Sequence, residues 1–218
     1  MACTMRATYL PWYDEATEGR GLLHTGIAYS YRDAQDDQVQ FEAKPEAHLG
    51  EYVVNTGAIT GVDHYHLLGL EAALVYGPFS AQAEYYSTWV DRPGAEELNF
   101  QGMYVYFSYF LTGENRSYKR STGVFDRVKP YENFFRVRDC DGNVRTGKGA
   151  WELAYRYSYL DLTDDNIAGG MASDHTLGVN WYLNPYTRVM FNYVNSGVTR
   201  AGTLGHIDVL ETRVQIDY

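Results

Sequence analysis

From Ala150 to Leu160 the chain alternates. Trp151, Leu153, Tyr155, Tyr157 and Tyr159 take one parity, and Glu152, Ala154, Arg156 and Ser158 take the other. The period recurs downstream: Leu177, Val179, Trp181 and Leu183 oppose Thr176, Gly178, Asn180 and Tyr182. Leu210, Thr212, Val214, Ile216 and Tyr218 then oppose Glu211, Arg213, Gln215 and Asp217. Successive side chains of a strand point to opposite faces, whereas a helix rotates each by about 100° and would scatter these sets. Followed along the chain, the pattern predicts about ten strands, over 4–12, 22–32, 37–45, 66–76, 81–90, 102–111, 150–160, 175–183, 188–196 and 207–218. Most exceed the ~5–6 residues of a soluble strand and match the ~9–11 that cross a bilayer at a tilt.

The connections sort by length. Short turns are predicted at Asp33–Asp36, Gly77–Ser80 and Asn184–Thr187, and longer polar loops at 13–21, 46–65, 91–101, 161–174 and 197–206. Short turns at one end and long loops at the other are the layout of an outer-membrane barrel. Residues 112–149 break the rule, being long on the short-turn side.

Composition narrows the choice. A chain of 218 residues is one domain or part of one. A net charge of −10 argues against nucleic acid as a partner. No apolar run approaches the ~18 residues of a spanning helix. Cys3 and Cys140 are too few for a disulfide scaffold and show no metal spacing. With 21 Tyr, 4 Trp and 9 Phe the chain is rich in aromatics. Two architectures fit an alternating chain, a membrane barrel whose apolar face meets lipid and a soluble sandwich such as a carbohydrate-binding module. Aromatic placement favours the barrel. Trp12, Tyr13, Tyr29, Tyr31, Tyr76, Trp89, Tyr109, Tyr159, Trp181 and Tyr193 fall near strand ends on the expected outer face, as interfacial belts do. Met1-Ala2-Cys3-Thr4-Met5-Arg6 runs into alternating residues with no apolar signal core, so the true beginning is expected to lie upstream. The terminal aromatic Tyr218 is similar to the closing residue that outer-membrane assembly reads.

Several stretches resemble the phosphate-selective porin O and P family. They are Leu10-Pro11-Trp12-Tyr13; Lys44-Pro45-Glu46-Ala47-His48-Leu49; Leu70-Glu71-Ala72-Ala73 with Tyr76-Gly77-Pro78-Phe79-Ser80; Phe110-Leu111-Thr112-Gly113-Glu114-Asn115-Arg116; Gly149-Ala150-Trp151-Glu152-Leu153-Ala154; Arg156-Tyr157-Ser158; Asp161-Leu162; Gly178-Val179-Asn180-Trp181-Tyr182; and Asn184-Pro185. Their order fits the carboxy-terminal part of the family. The resemblance implies an all-β transmembrane antiparallel β-barrel in the bacterial outer membrane. The about ten strands would be the last ten of a 16-stranded porin, a homotrimer when full length, with residues 1–218 a single barrel domain. It also implies passage of small anions such as phosphate, with membrane lipid and lipopolysaccharide as neighbours.

Charge locates the candidate chemistry. Residues 112–149 hold nine Lys and Arg against five acids, in an otherwise acidic chain. Folded into a lumen, such an insert would favour anions, because pore walls focus the field. The expected anion pathway is Arg116, Lys119, Arg120, Arg127, Lys129, Arg136 and Arg138, with Arg156 as the strand-borne member; the alternative is a solvated periplasmic loop. Phe125, Tyr131, Phe134 and Phe135 are candidate anchors. Inward strand positions should include Arg6, His24, Arg32, Lys44, Glu71, Glu84, Glu152, Asn180, Arg188, Asn192, Glu211 and Arg213. His64 and His66 share a face as a metal pair would, and Asp161, Asp164 and Asp165 form an acidic cluster; an incidental pair and a solvated loop are the simpler readings. No enzymatic or cofactor motif appears, so neither an enzyme nor a cofactor is expected. A general or cation-tolerant porin of the same architecture is the competing function.

Overall fold

The alternating segments pair with their sequence neighbours. In the computed structural model, which describes residues 1–217 apart from His48 and Asp139, nine long strands form one antiparallel sheet. They are β1 (Ala2–Tyr13), β2 (Gly21–Asp33), β3 (His64–Tyr76), β4 (Phe79–Asp91), β5 (Leu98–Phe110), β6 (Ala150–Asp164), β7 (Ile167–Asn184), β8 (Thr187–Arg200) and β9 (Thr203–Ile216). Sheet order equals chain order, with β1 and β9 at the edges.

Register places the two faces. Glu71 lies opposite Gly26 and Glu84, Glu84 opposite Tyr104, and Tyr106 opposite Arg156, so these side chains share one face. Every strand position expected to point inward falls on that face; Lys44 alone lies off the sheet, in the connection between β2 and β3. The opposite face carries Ile27, Leu70, Phe107, Leu153, Leu177, Phe191, Leu210 and Val214. No second layer covers it among the described residues: Leu177 is 57% and Leu210 83% exposed. A sandwich would bury this face.

The sheet departs from the sequence expectation in four ways. Nine strands form it rather than about ten, because residues 37–45 do not join. They lie within the connection 34–63, where Gln38–Val39 pairs with Ile59–Thr60 and Glu42–Ala43 with Val54–Asn55. The expected turn at Asp33–Asp36 is thus the start of a long loop. The polar stretches 161–174 and 197–206 are mostly strand, closed by two-residue turns at 165–166 and 201–202. Ala201 and Gly202 have φ of +48° and +76°, the backbone that a tight right-twisted hairpin requires. Finally, Tyr13 points inward. A bulge between Tyr9 and Trp12 holds Leu10 and Pro11, where proline's missing N–H costs no ladder bond. The extra residue keeps Trp12 outside with Leu23 and turns Tyr13 in. Tyr218 lies outside the described residues.

The core lies on the polar face, at its ends. Val54, Ile59 and Val62 of the 34–63 loop pack on Val90, Leu98, Phe100, Leu162 and Ala172 of the wall. Val39, Phe41 and Ala43 join them partly buried, so the alternation of 37–45 serves a real apolar face. At the other end Val128 packs on Phe110, Ala150 and Tyr182.

Candidate functional site

Two connections fold onto the polar face from opposite ends of the sheet. The 34–63 loop enters from the end that carries the turns 92–97, 165–166 and 201–202. The 112–149 insert enters from the end that carries 77–78 and 185–186.

Sequence builds the insert as two hairpins. In the first, Tyr118–Lys119 pairs with Val124–Phe125. It is tied to the wall by polar contacts. The Tyr118 hydroxyl shares a 2.7 Å hydrogen bond with His24 Nδ1, and His24 Nε2 lies 3.2 Å from Glu71 Oε1. Arg6 Nε donates to the same carboxylate oxygen at 2.9 Å. Gly26 makes room for that carboxylate, since a Cβ there would stand 2.1 Å from Glu71 Oε1. The entry to the insert is pinned by Arg20, which donates to the Gly113 carbonyl at 3.1 Å and to the Tyr131 hydroxyl. Glu114 is buried and accepts from the Tyr131 amide at 3.0 Å and from the Thr112 hydroxyl.

The second hairpin pairs Phe135–Arg138 with Val144–Gly147. Phe134 sets its position, with its ring edge-on to Trp181 at 4.6 Å. Trp181 stacks on Trp151, and both indoles belong to the outward face. This hairpin therefore sits at the rim against the outside of the wall, and Arg136 and Arg138 are exposed on it.

The expected basic residues thus separate. Arg116 and Arg127 line a cavity of ≈ 440 Å³ between insert and wall, where Arg188 joins them from β8. The Arg116 guanidinium lies 3.8 Å over the Phe125 ring and 5.6 Å from the Tyr106 ring, and its Nη1 donates to Gln82 at 3.0 Å. Arg127 lies 4.8 Å over Tyr186, and Arg188 donates to Gln215 at 2.8 Å. Ring faces attract cations without cancelling their charge. Arg120 instead pairs with Glu15 at 2.9 Å at the rim, and Lys119 and Lys129 are exposed. Arg156 faces inward as expected, over the Tyr104 ring at 4.2 Å, but its Nε lies 3.0 Å from Glu46 Oε1 of the inward loop. Among the described residues the arginines in ion pairs are Arg6, Arg92, Arg120, Arg145 and Arg156. Arg116, Arg127 and Arg188 form no ion pair among the described residues, so this cavity gathers three guanidiniums that no single carboxylate holds. Arg188 was visible as an inward strand position, but nothing local in sequence marks it as lacking an ion-pair partner.

Acidic groups also line the face. Glu152, 2% exposed, accepts from Tyr106 at 3.1 Å and from Asn180 and Tyr182 at 2.8 Å each. Asp126 and Asp217 line the same cavity. Glu84 accepts from Tyr104, Tyr86 and Gln82. Carboxylates held by neutral donors rigidify a polar wall. In the inward loop Lys44 lies 5.0 Å over the Tyr52 ring. A hydrogen bond to Glu42 and that group's charge hold the Tyr52 phenol above the ordinary tyrosine range. Asp161 and Asp164 accept backbone amides of Thr163, Asn99 and Asp165, and Asp165 pairs with Arg92. That acidic cluster therefore organises a hairpin tip.

A meandering antiparallel sheet with a bare apolar face, a polar face and segments folded onto that face from both ends is the arrangement expected of a porin wall. The model of one family, phosphate-selective porin O and P, matches residues 1–218, and the chain belongs to that family, which locates it in the bacterial outer membrane. Porin O of Pseudomonas aeruginosa is 30% identical over 208 residues, covering 82% of this chain and 44% of the relative. An uncharacterized protein of Caulobacter vibrioides is 29% identical over 191 residues, covering 86% of this chain and 36% of the relative. The chain thus spans less than half the length of either curated relative.

Proposed function

We propose that this chain supplies wall and constriction to a transmembrane β-barrel, a water-filled channel through which small anions such as phosphate diffuse. The observation that carries the anion reading is the set of three guanidiniums outside any ion pair among the described residues, Arg116, Arg127 and Arg188, around one cavity on the polar face. Water-filled pores with low-dielectric walls amplify such fixed charge. Arg also offers a planar donor fork that fits phosphate oxygens.

The outward face supports the spanning part. On β4, Phe79 and Trp89 bracket Ala81, Ala83, Tyr85 and Ser87; on β3, Tyr76 and His66 bracket Leu74, Ala72, Leu70 and Leu68. Ten residues extend about 34 Å along a strand, which at the usual tilt gives about 25 Å of height, the thickness of a barrel's lipid band. Leu70 falls midway. Leu70→Arg is expected to destabilise the full-length protein by about 2–4 kcal/mol in bilayers, against little change for an inward substitution such as Asn192→Arg. Urea unfolding in liposomes measures both, and equal effects would remove the lipid-facing assignment. The family also carries a homotrimer into this reading, with outer-membrane lipid and lipopolysaccharide around it.

Asp126, Glu152 and Asp217 around the same cavity favour the rival reading, a general or cation-tolerant porin. Reversal potentials of the full-length channel in a salt gradient separate the two. Anion preference is expected, and cation preference would leave the barrel and remove the anion claim.

A further inference from the structure

Away from the polar face, the rim at the 34–63 end gathers metal-ligating groups on the outward side. Strand register aligns Asp33, His64 and Asp91 on three adjacent strands, and Asp63 precedes His64 as the last residue of the inward loop. His64 Nδ1 lies 3.0 Å from Asp63 Oδ2 and 3.5 Å from Asp91 Oδ2, and the three ligand atoms all fall within 4.8 Å of one another. Around a tetrahedral zinc ion, nitrogen and oxygen ligands at about 2.0–2.2 Å stand roughly 3.3 Å apart. The imidazole already keeps that spacing to both carboxylates.

The surroundings fix the arrangement. Tyr31 and His66 contact the His64 ring at 5.2 and 4.8 Å between centroids. The Asp63 amide donates to the Asp91 carbonyl at 3.1 Å, locking the two carboxylate-bearing backbones together. Charge also leaves room for a cation. Asp63 and Asp91 share only His64 as an ion-pair partner among the described residues. One imidazole cannot neutralise two carboxylates, and a divalent ion can.

We propose that Asp63, His64 and Asp91 bind a divalent transition-metal ion of the zinc class, with water completing the shell. The nitrogen ligand selects against calcium and magnesium, which take oxygen. The ion would tie the root of the inward loop to β4. The site faces away from the lumen and stands independently of the anion reading.

Titrating zinc chloride into metal-stripped, full-length protein in detergent tests this by calorimetry. The expected result is one saturable zinc per chain, unaffected by excess magnesium or calcium. His64→Asn and Asp91→Asn should each weaken it at least about tenfold, since losing even an outer partner of a ligand costs ~10–100-fold. His175→Asn is the control, because that outward histidine instead shares a 2.8 Å hydrogen bond with Tyr155. Asp63→Asn, at an exposed side chain, substitutes for either variant that fails to fold. Absence of saturable zinc, equal competition by calcium, or undiminished binding in the folded His64 and aspartate variants would each overturn the proposal.

Discussion

Replacing Arg116, Arg127 and Arg188 together by glutamine should lower the anion-to-cation permeability ratio of the full-length channel about tenfold, the lower end of what a focused field supplies. Reversal potentials in a salt gradient read the change. The reasoning rests on which guanidiniums keep their charge. These three are held by Gln82, Tyr186 and Gln215 and by ring faces, none of which carries a negative charge. Arg156 sits in an ion pair with Glu46, so the pair is close to neutral as a unit. Glu46→Gln should therefore raise anion preference by freeing the guanidinium. The double variant Glu46→Gln with Arg156→Gln should leave it nearly unchanged. An unaltered ratio in the triple variant would show that ions do not pass the cavity.

Val54→Asp with Ile59→Asp should widen the pore. Both side chains are buried in the apolar cluster that pins the 34–63 loop to the wall. An unpaired carboxylate there costs several kcal/mol, more than the few remaining contacts of this loop recover. The released loop is expected to become protease-sensitive within 34–63, and single-channel conductance to rise on the order of twofold as the constriction opens. Protease sensitivity without a change in conductance would mean that the loop does not narrow the path.

Much of this architecture is legible in the residues, and the illegible parts have physical causes. The two faces of β6, β7 and β9 follow from parity, because period two admits one assignment once one face is apolar. Strand ends are harder. Residues 161–174 and 197–206 extend the strands with polar side chains, and polarity alone reads as loop. Residues 37–45 mislead in the opposite direction. Val39, Phe41 and Ala43 alternate because a loop ribbon lying on a wall also has one buried side. Trp12 and Tyr13 cannot be assigned by counting, since the bulge at Leu10 and Pro11 changes parity between Tyr9 and Trp12. The candidate site was legible as composition and not as geometry. The basic bias of 112–149 is plain in the sequence, but its division between the polar face and the outer rim depends on Phe134 meeting Trp181, nearly fifty positions away. The cancellation of Arg156 depends on Glu46, a partner 110 positions distant.

The segments that crowd the polar face are both insertions between strands, held by a few apolar anchors and by ties such as His24 to Tyr118. The strands beneath them answer to different demands, the patterning of an apolar outer face and the ladder of backbone bonds. Selection can therefore rewrite what is admitted without disturbing how the shell assembles. Exchanging 34–63 and 112–131 between relatives would transplant a filter into an unchanged housing.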